Sequence, residues 1–102
     1  MQKDILWFKE KIAPDLQGYE IKYRFYEEGD FGSLNQVLFE SKTIGGQIDF
    51  WGMDWLGIYV WDYKAKEELM NILLEPDKYS EKENAFKKMQ SLLETFEATP
   101  GL

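Results

Sequence analysis

The stretch Gln47-Ile48-Asp49-Phe50-Trp51-Gly52-Met53-Asp54-Trp55-Leu56-Gly57-Ile58-Tyr59-Val60-Trp61-Asp62 decides the fold, because it reads as two strands joined by a tight turn. Residues 47–51 form one strand, Gly52-Met53-Asp54 supplies the turn, and residues 55–61 form the next. The second of these strands has two apolar rows. Leu56, Ile58 and Val60 project to one side; Trp55, Tyr59 and Trp61 project to the other, with Gly57 in their row. Whether its aromatic side is covered becomes the functional question.

Reading upstream, Gly45-Gly46 is expected to be a turn opening the strand from Gln47. Residues 34–40 are rich in apolar side chains and form a preceding strand, reached through the turn residues Glu28-Gly29-Asp30-Phe31-Gly32. Before that turn, Tyr19, Ile21, Tyr23 and Phe25 alternate with Glu20, Lys22, Arg24 and Tyr26, a period of two with one apolar face. Ile5, Phe8 and Ile12 stand at helical spacing, and Pro14 forbids continuation, so a short helix over residues 3–13 begins the chain.

Downstream, Asp62 is placed to cap a helix running through Leu69, Ile72 and Leu73 to Glu75, where Pro76 stops it. Ser80-Glu81-Lys82-Glu83 has the spacing of a capping box, and Phe86, Met89, Leu93 and Phe96 then form one apolar helical stripe. That stripe reads as core. The expected architecture is one α+β domain over residues 1–102: a four-stranded antiparallel meander with an N-terminal helix and two C-terminal helices, in the order α-β-β-β-β-α-α. Residues 98–102 are expected to be a loose tail. No repeat, low-complexity tract or linker divides the 102 residues, a length that supports one core.

Composition narrows the function. An apolar share of 44% and an aromatic share of 17% exceed what a disordered chain carries, and four Trp, six Tyr and seven Phe are more than so small an interior ordinarily holds. Some aromatics must therefore lie at the surface. With no Cys there is neither a disulfide framework nor a thiolate metal site. The apolar run after Met1 is cut by charges, and no stretch approaches the roughly 18 apolar residues of a membrane span. A cytoplasmic location is expected. The net charge of −7 disfavours nucleic acid and anionic lipid as partners. Six of those seven charges fall within residues 27–62, which hold one cation against seven anions.

The absence of His and Cys removes Ser-His-Asp and Cys-His nucleophiles together with the commonest zinc ligands. No enzyme and no cofactor are expected. Asp49, Asp54 and Asp62 could be imagined as an acid/base pair or a magnesium site, but turn and cap positions account for Asp54 and Asp62. Lys64, Lys66, Lys87 and Lys88 are interleaved with Glu, as on a solvated helix face. Gly45-Gly46 lacks the Gly-Lys-Ser/Thr of a phosphate loop.

The row Trp55, Tyr59 and Trp61, with Trp51 and Asp49 beside it, has two readings. Helices cover both sheet faces and the aromatics merely pair across strands, or one face stays open. An open set of Trp and Tyr among carboxylates has the make-up of an interface hot spot with a charged rim. The sites expected for a partner are Glu27, Glu28, Asp30, Asp49 and Asp54, which steer, and Trp51, Trp55, Tyr59 and Trp61, which anchor.

Residues 46–62, with Asn71-Ile72-Leu73-Leu74-Glu75-Pro76 after them, resemble small bacterial proteins of the immunity type, which are paired with polymorphic toxins, including those of contact-dependent growth inhibition. The resemblance is one of type: small, acidic, Cys-free, aromatic-rich α+β chains. It implies a binding protein that occludes a cognate protein toxin, a basic ribonuclease or other nuclease. Two other classes remain: a monomer-or-homodimer question in which the aromatic face closes a structural or adaptor dimer, and a carboxylate-dependent enzyme using Asp49 and Asp54.

Overall fold

Asp4 accepts the Trp7 backbone N–H on Oδ1 at 2.9 Å, an N-cap that starts helix α1 (Ile5–Lys11). Pro14 then turns the chain through a single 3-10 turn, Ala13–Asp15. The computed structural model describes residues 3–98, with side chains placed as far as Thr95. Five strands follow: β1 (Glu20–Gly29), β2 (Gly32–Glu40), β3 (Ile44–Trp51), β4 (Leu56–Asp62) and β5 (Glu67–Leu74). A long helix, α2 (Tyr79–Ala98), completes the described chain. The strands lie in chain order, and every neighbour is antiparallel.

Both helices pack on the same side of this sheet. Phe8 of α1 and Phe86 of α2 each lie about one ring's width from Phe50 of β3, with centroids at 6.3 and 6.1 Å, and Trp7 meets Phe86 edge-on at 4.7 Å. Beneath them Val37, Phe39, Ile48, Ile58, Val60 and Met70 are sealed from solvent, and Met89 and Leu93 of α2 close the layer. Burying each such side chain contributes about 1.5–3 kcal/mol, so this single layer carries the stability of the domain. Tyr19 donates its hydroxyl to the Leu93 carbonyl at 3.3 Å, tying the start of β1 to α2.

The expected α+β meander and first helix are present, but the helix expected from Asp62 to Glu75 is a fifth strand. Asp62 does cap free N–H groups, at Lys64 (2.9 Å) and Ala65 (3.1 Å), yet it caps a tight turn, and Lys66 beyond it has φ +57°, which no helix accommodates. Met70, Ile72 and Leu74 then face Val60, Ile58 and Leu56 across the β4–β5 ladder. Without β5 the backbone groups along one side of β4 would be left without partners, a cost that outweighs helical spacing in one segment. Among the described residues the architecture is therefore five strands and two α-helices, with one helix after the sheet. That helix begins at Tyr79, where Lys82 N–H bonds the Lys78 carbonyl at 2.9 Å, so the expected cap Ser80 lies in its first turn.

Gly45-Gly46 is also strand, not turn. The β2–β3 connection is made by residues 41–43, where the Ser41 hydroxyl accepts the Thr43 and Ile44 N–H groups at 3.4 and 3.3 Å. The two glycines instead allow close approach: the Phe39 ring covers Gly46 on the helix side, and Tyr63 covers Gly45 on the other. On β1 the alternation holds but burial fades along the strand, since Ile21 packs on the core whereas Phe25 is 59% exposed. The place of Phe96 in the helical stripe and the tail beyond Ala98 lie outside the described side chains and residues.

Candidate functional site

Among the described residues no helix lies on the second sheet face, and the register shows what it presents. In successive rows across β2 to β5 stand Glu40, Gly45, Trp61 and Glu68; then Leu38, Gln47, Tyr59 and Asn71; then Gln36, Asp49, Gly57 and Leu73. Trp51 follows beside Leu34. Strand β1 adds Glu20, Lys22, Arg24 and Tyr26 at the margin. The core-side row of β4 is buried; its aromatic row is not, with Tyr59 36% exposed and Trp61 half-buried.

Asp49 stands near the middle of this face and is held by two amides. Gln36 donates Nε2 to Oδ1 at 3.0 Å, and Gln47 Nε2 reaches Oδ1 and Oδ2 at 3.1 and 3.2 Å. Beside it Gly57 leaves a gap in the row. A Cβ there would stand 3.2 Å from Trp51 Cζ3, so the edge of the indole occupies space that any other residue would contest. The gap is a depression of about 200 Å³ lined by Gln47, Asp49, Trp51, Tyr59, Asn71 and Leu73. Tyr59 and Trp61 continue the aromatic row with nearly parallel rings, 9° apart and 6.4 Å between centroids. At the other end Phe31 stacks on Trp55 at 4.0 Å and meets Trp51 edge-on at 5.3 Å.

Of the expected partner-binding residues, the structure brings Asp49, Trp51, Tyr59 and Trp61 together, and Trp55 joins them through Phe31. Glu27 and Glu28 are exposed in a β-bulge, where two residues of β1 oppose Ser33 alone, and Asp30 is exposed in the adjoining hairpin turn. These three acids lie at the β1–β2 hairpin end of the sheet, where Phe31 also stands. Asp54 does not join the face. Its backbone has φ +67°, and both its carbonyl and its carboxylate are engaged by Lys82 of α2, a nearly buried lysine, at 2.6 and 3.6 Å. Asp62 is spent on its turn. The three aspartates weighed as an acid/base or magnesium cluster thus serve three separate places.

Glu68, Asn71 and Leu73 are the face residues that sequence reasoning missed. They sit on β5, and Asn71 donates Nδ2 to Glu68 Oε1 at 3.0 Å. The alternation of Met70, Ile72 and Leu74 was the signal that could have placed them. At the margin, Glu20, Lys22, Arg24, Leu38, Glu40 and Tyr63 line a second depression of about 160 Å³. There Tyr63 donates its hydroxyl to Glu40 Oε2 at 3.2 Å; burial, that bond and the carboxylate's charge hold the phenol above its ordinary pKa of 10.0. Lys22 and Arg24 lie on β1, two strands from Asp49.

Among the described residues no group of three or more carboxylates could hold a metal ion, and no helix is long and apolar enough to cross a membrane. Comparison with protein-family models, with curated proteins and with solved structures finds no match.

Proposed function

We propose that the chain is a binding protein of the immunity type, which neutralises a cognate toxin, a basic nuclease, by covering the toxin's active site with its open sheet face. The single observation behind this reading is that both helices pack on one side of the sheet, so the row Trp51, Tyr59 and Trp61 with Asp49 is left on the other. Aromatic anchors with few rotatable bonds lose little entropy on docking, and carboxylates at their margin attract a cationic groove built for phosphates. Glu27, Glu28 and Asp30 extend the negative margin to the β1–β2 hairpin end of the sheet. Asp54 has no part in it.

The test pairs the chain with the C-terminal domain of the protein encoded by the neighbouring reading frame, assayed for nuclease activity. A complex should form and nuclease activity should stop, while the double variant Tyr59→Ala/Trp61→Ala, still folded, should raise Kd by about 30-fold or more, the effect of losing a hot spot of roughly 2 kcal/mol. Unchanged affinity in that variant overturns the proposal. So does sedimentation showing a homodimer that buries Tyr59 and Trp61 against their own copies, because the face would then be closed.

A further inference from the structure

We infer that the depression around Asp49 is the seat of a single arginine side chain of the protein partner, its guanidinium meeting the Asp49 carboxylate and stacking on the neighbouring rings. This rests on the reading of the open face as a docking surface and says what that surface recognises.

The lining holds one carboxylate among carboxamides. Gln47, in the lining, and Gln36, beside it on β2, each turn an amide nitrogen to Asp49, and Asn71 turns its nitrogen to Glu68, which leaves their carbonyl oxygens as acceptors. Asp49 Oδ1 takes two of these bonds and Oδ2 takes one, which leaves acceptor capacity on Oδ2. What such a site lacks is a positive charge. An anion would meet the Asp49 carboxylate, and a neutral apolar group would strand that carboxylate, already part-way out of water.

Charge and shape select among donors. Residues 27–62 hold six of the chain's seven net negative charges, and the face's cations, Lys22 and Arg24, are two strands away on β1. At about 200 Å³ the depression is smaller than the roughly 300–1,000 Å³ of drug-sized sites, yet it admits the end of one long side chain. A guanidinium spreads five donors in one plane, so it can reach Asp49 and the amide oxygens while its face lies on Trp51 or Tyr59. An ammonium is more strongly hydrated and offers no face to stack.

The probe is the capped tripeptide Gly-Arg-Gly, titrated to millimolar concentration against the folded chain by two-dimensional NMR, with Gly-Lys-Gly and Gly-citrulline-Gly as parallel arms. The arginine peptide should shift the Trp51 indole and the Gln36 and Gln47 side-chain amides in a saturable way, and at least about tenfold more tightly than either other peptide. Asp49→Asn should weaken it by a similar factor. Leu73→Arg places a guanidinium at the rim from an exposed position and should block the probe without disturbing the fold. Equal binding of the citrulline or lysine peptide, or shifts spread over the acidic surface, overturns the inference. The two readings separate with the toxin: if Tyr59→Ala/Trp61→Ala abolishes capture but Asp49→Asn leaves Kd unchanged, the docking face stands and the arginine seat falls. If the arginine peptide binds at Asp49 and no toxin is captured, the inhibitor reading falls instead.

Discussion

Lys82 reaches back from the first turn of α2 to Asp54, donating to its carbonyl oxygen at 2.6 Å and facing its carboxylate at 3.6 Å, while the Pro76 carbonyl accepts at 3.1 Å. The ammonium therefore joins the β3–β4 turn to the segment entering α2. Lys82 is 6% exposed, so its charge depends on these oxygens for solvation.

Replacing Lys82 by Met keeps the aliphatic stem and removes the ammonium from the Asp54 and Pro76 carbonyls and the Asp54 carboxylate. The expected loss of stability is about 2–4 kcal/mol, read as a lower urea midpoint at unchanged slope. Asp54→Asn keeps the carbonyl contact and removes only a carboxylate that is about one-third exposed, so it should cost less than about 1 kcal/mol. Equal losses in the two variants would show that the ion pair, not the carbonyl bonds, holds the turn.

Tyr63 gives a pH dependence with a definite sign. Its folded pKa is raised above 10.0, first by burial and then by the bond to Glu40 and that residue's charge. The unfolded chain therefore releases the phenolic proton first as pH rises. The stabilising contribution is complete below pH 10 and is lost as pH climbs from there through the folded pKa. Tyr23 is raised by burial and acts in the same direction. Phenolate absorbance, compared with a Tyr63→Phe chain, should show the Tyr63 midpoint moving down in Glu40→Gln yet staying above 10.0, because burial persists. An upward move would mean that Glu40 stabilises the phenolate.

Gly46 is the strand position least able to accept a methyl group. A Cβ would collide with the Phe39 ring and the Tyr59 carbonyl, one of them backbone that cannot rotate away. Gly46→Ala should cost about 1–3 kcal/mol by overpacking, measured by thermal or urea unfolding. Neutral behaviour would show that Phe39, though 2% exposed, can leave its place over the glycine.

How far these features were legible depended on whether their signal was local. The meander from β1 to β4 follows from a period of two that each strand carries in itself, and the two rows of β4 separate into buried Leu56, Ile58 and Val60 and the less covered Tyr59 and Trp61. Strand β5 hid its period because the ladder slips at Leu69, between Glu68 opposite Trp61 and Met70 opposite Val60. With Leu69 out of register, Leu69, Ile72 and Leu73 copy the spacing of a helix, and with the strand went Glu68, Asn71 and Leu73 of the open face. Asp54 was misplaced for a different reason: its partner lies 28 residues away, and nothing nearby announces it. Gly45 and Gly46 looked like turn residues because a glycine needed for ring clearance is indistinguishable, in sequence, from one needed for a turn.

Gly57 offers the converse experiment to Gly46, because what it leaves free is surface. A Cβ at Gly57 would meet the Trp51 indole edge at 3.2 Å and Asp49 Cβ at 3.6 Å, contacts that a half-buried side chain can relieve by moving a few tenths of an ångström. The unfolded chain loses entropy when Gly becomes Ala, a gain of about 0.4–1 kcal/mol that opposes this crowding. Gly57→Ala should therefore fold with stability within about 1 kcal/mol of the native chain, and Gly57→Val should do so while filling the depression with a β-branched side chain that suits a strand. If the depression is where the partner docks, affinity falls steeply from Ala to Val while the unfolding midpoint barely moves. A parallel fall in stability and affinity would instead assign Gly57 to packing of Trp51, and would place the docking contacts at Tyr59 and Trp61 alone.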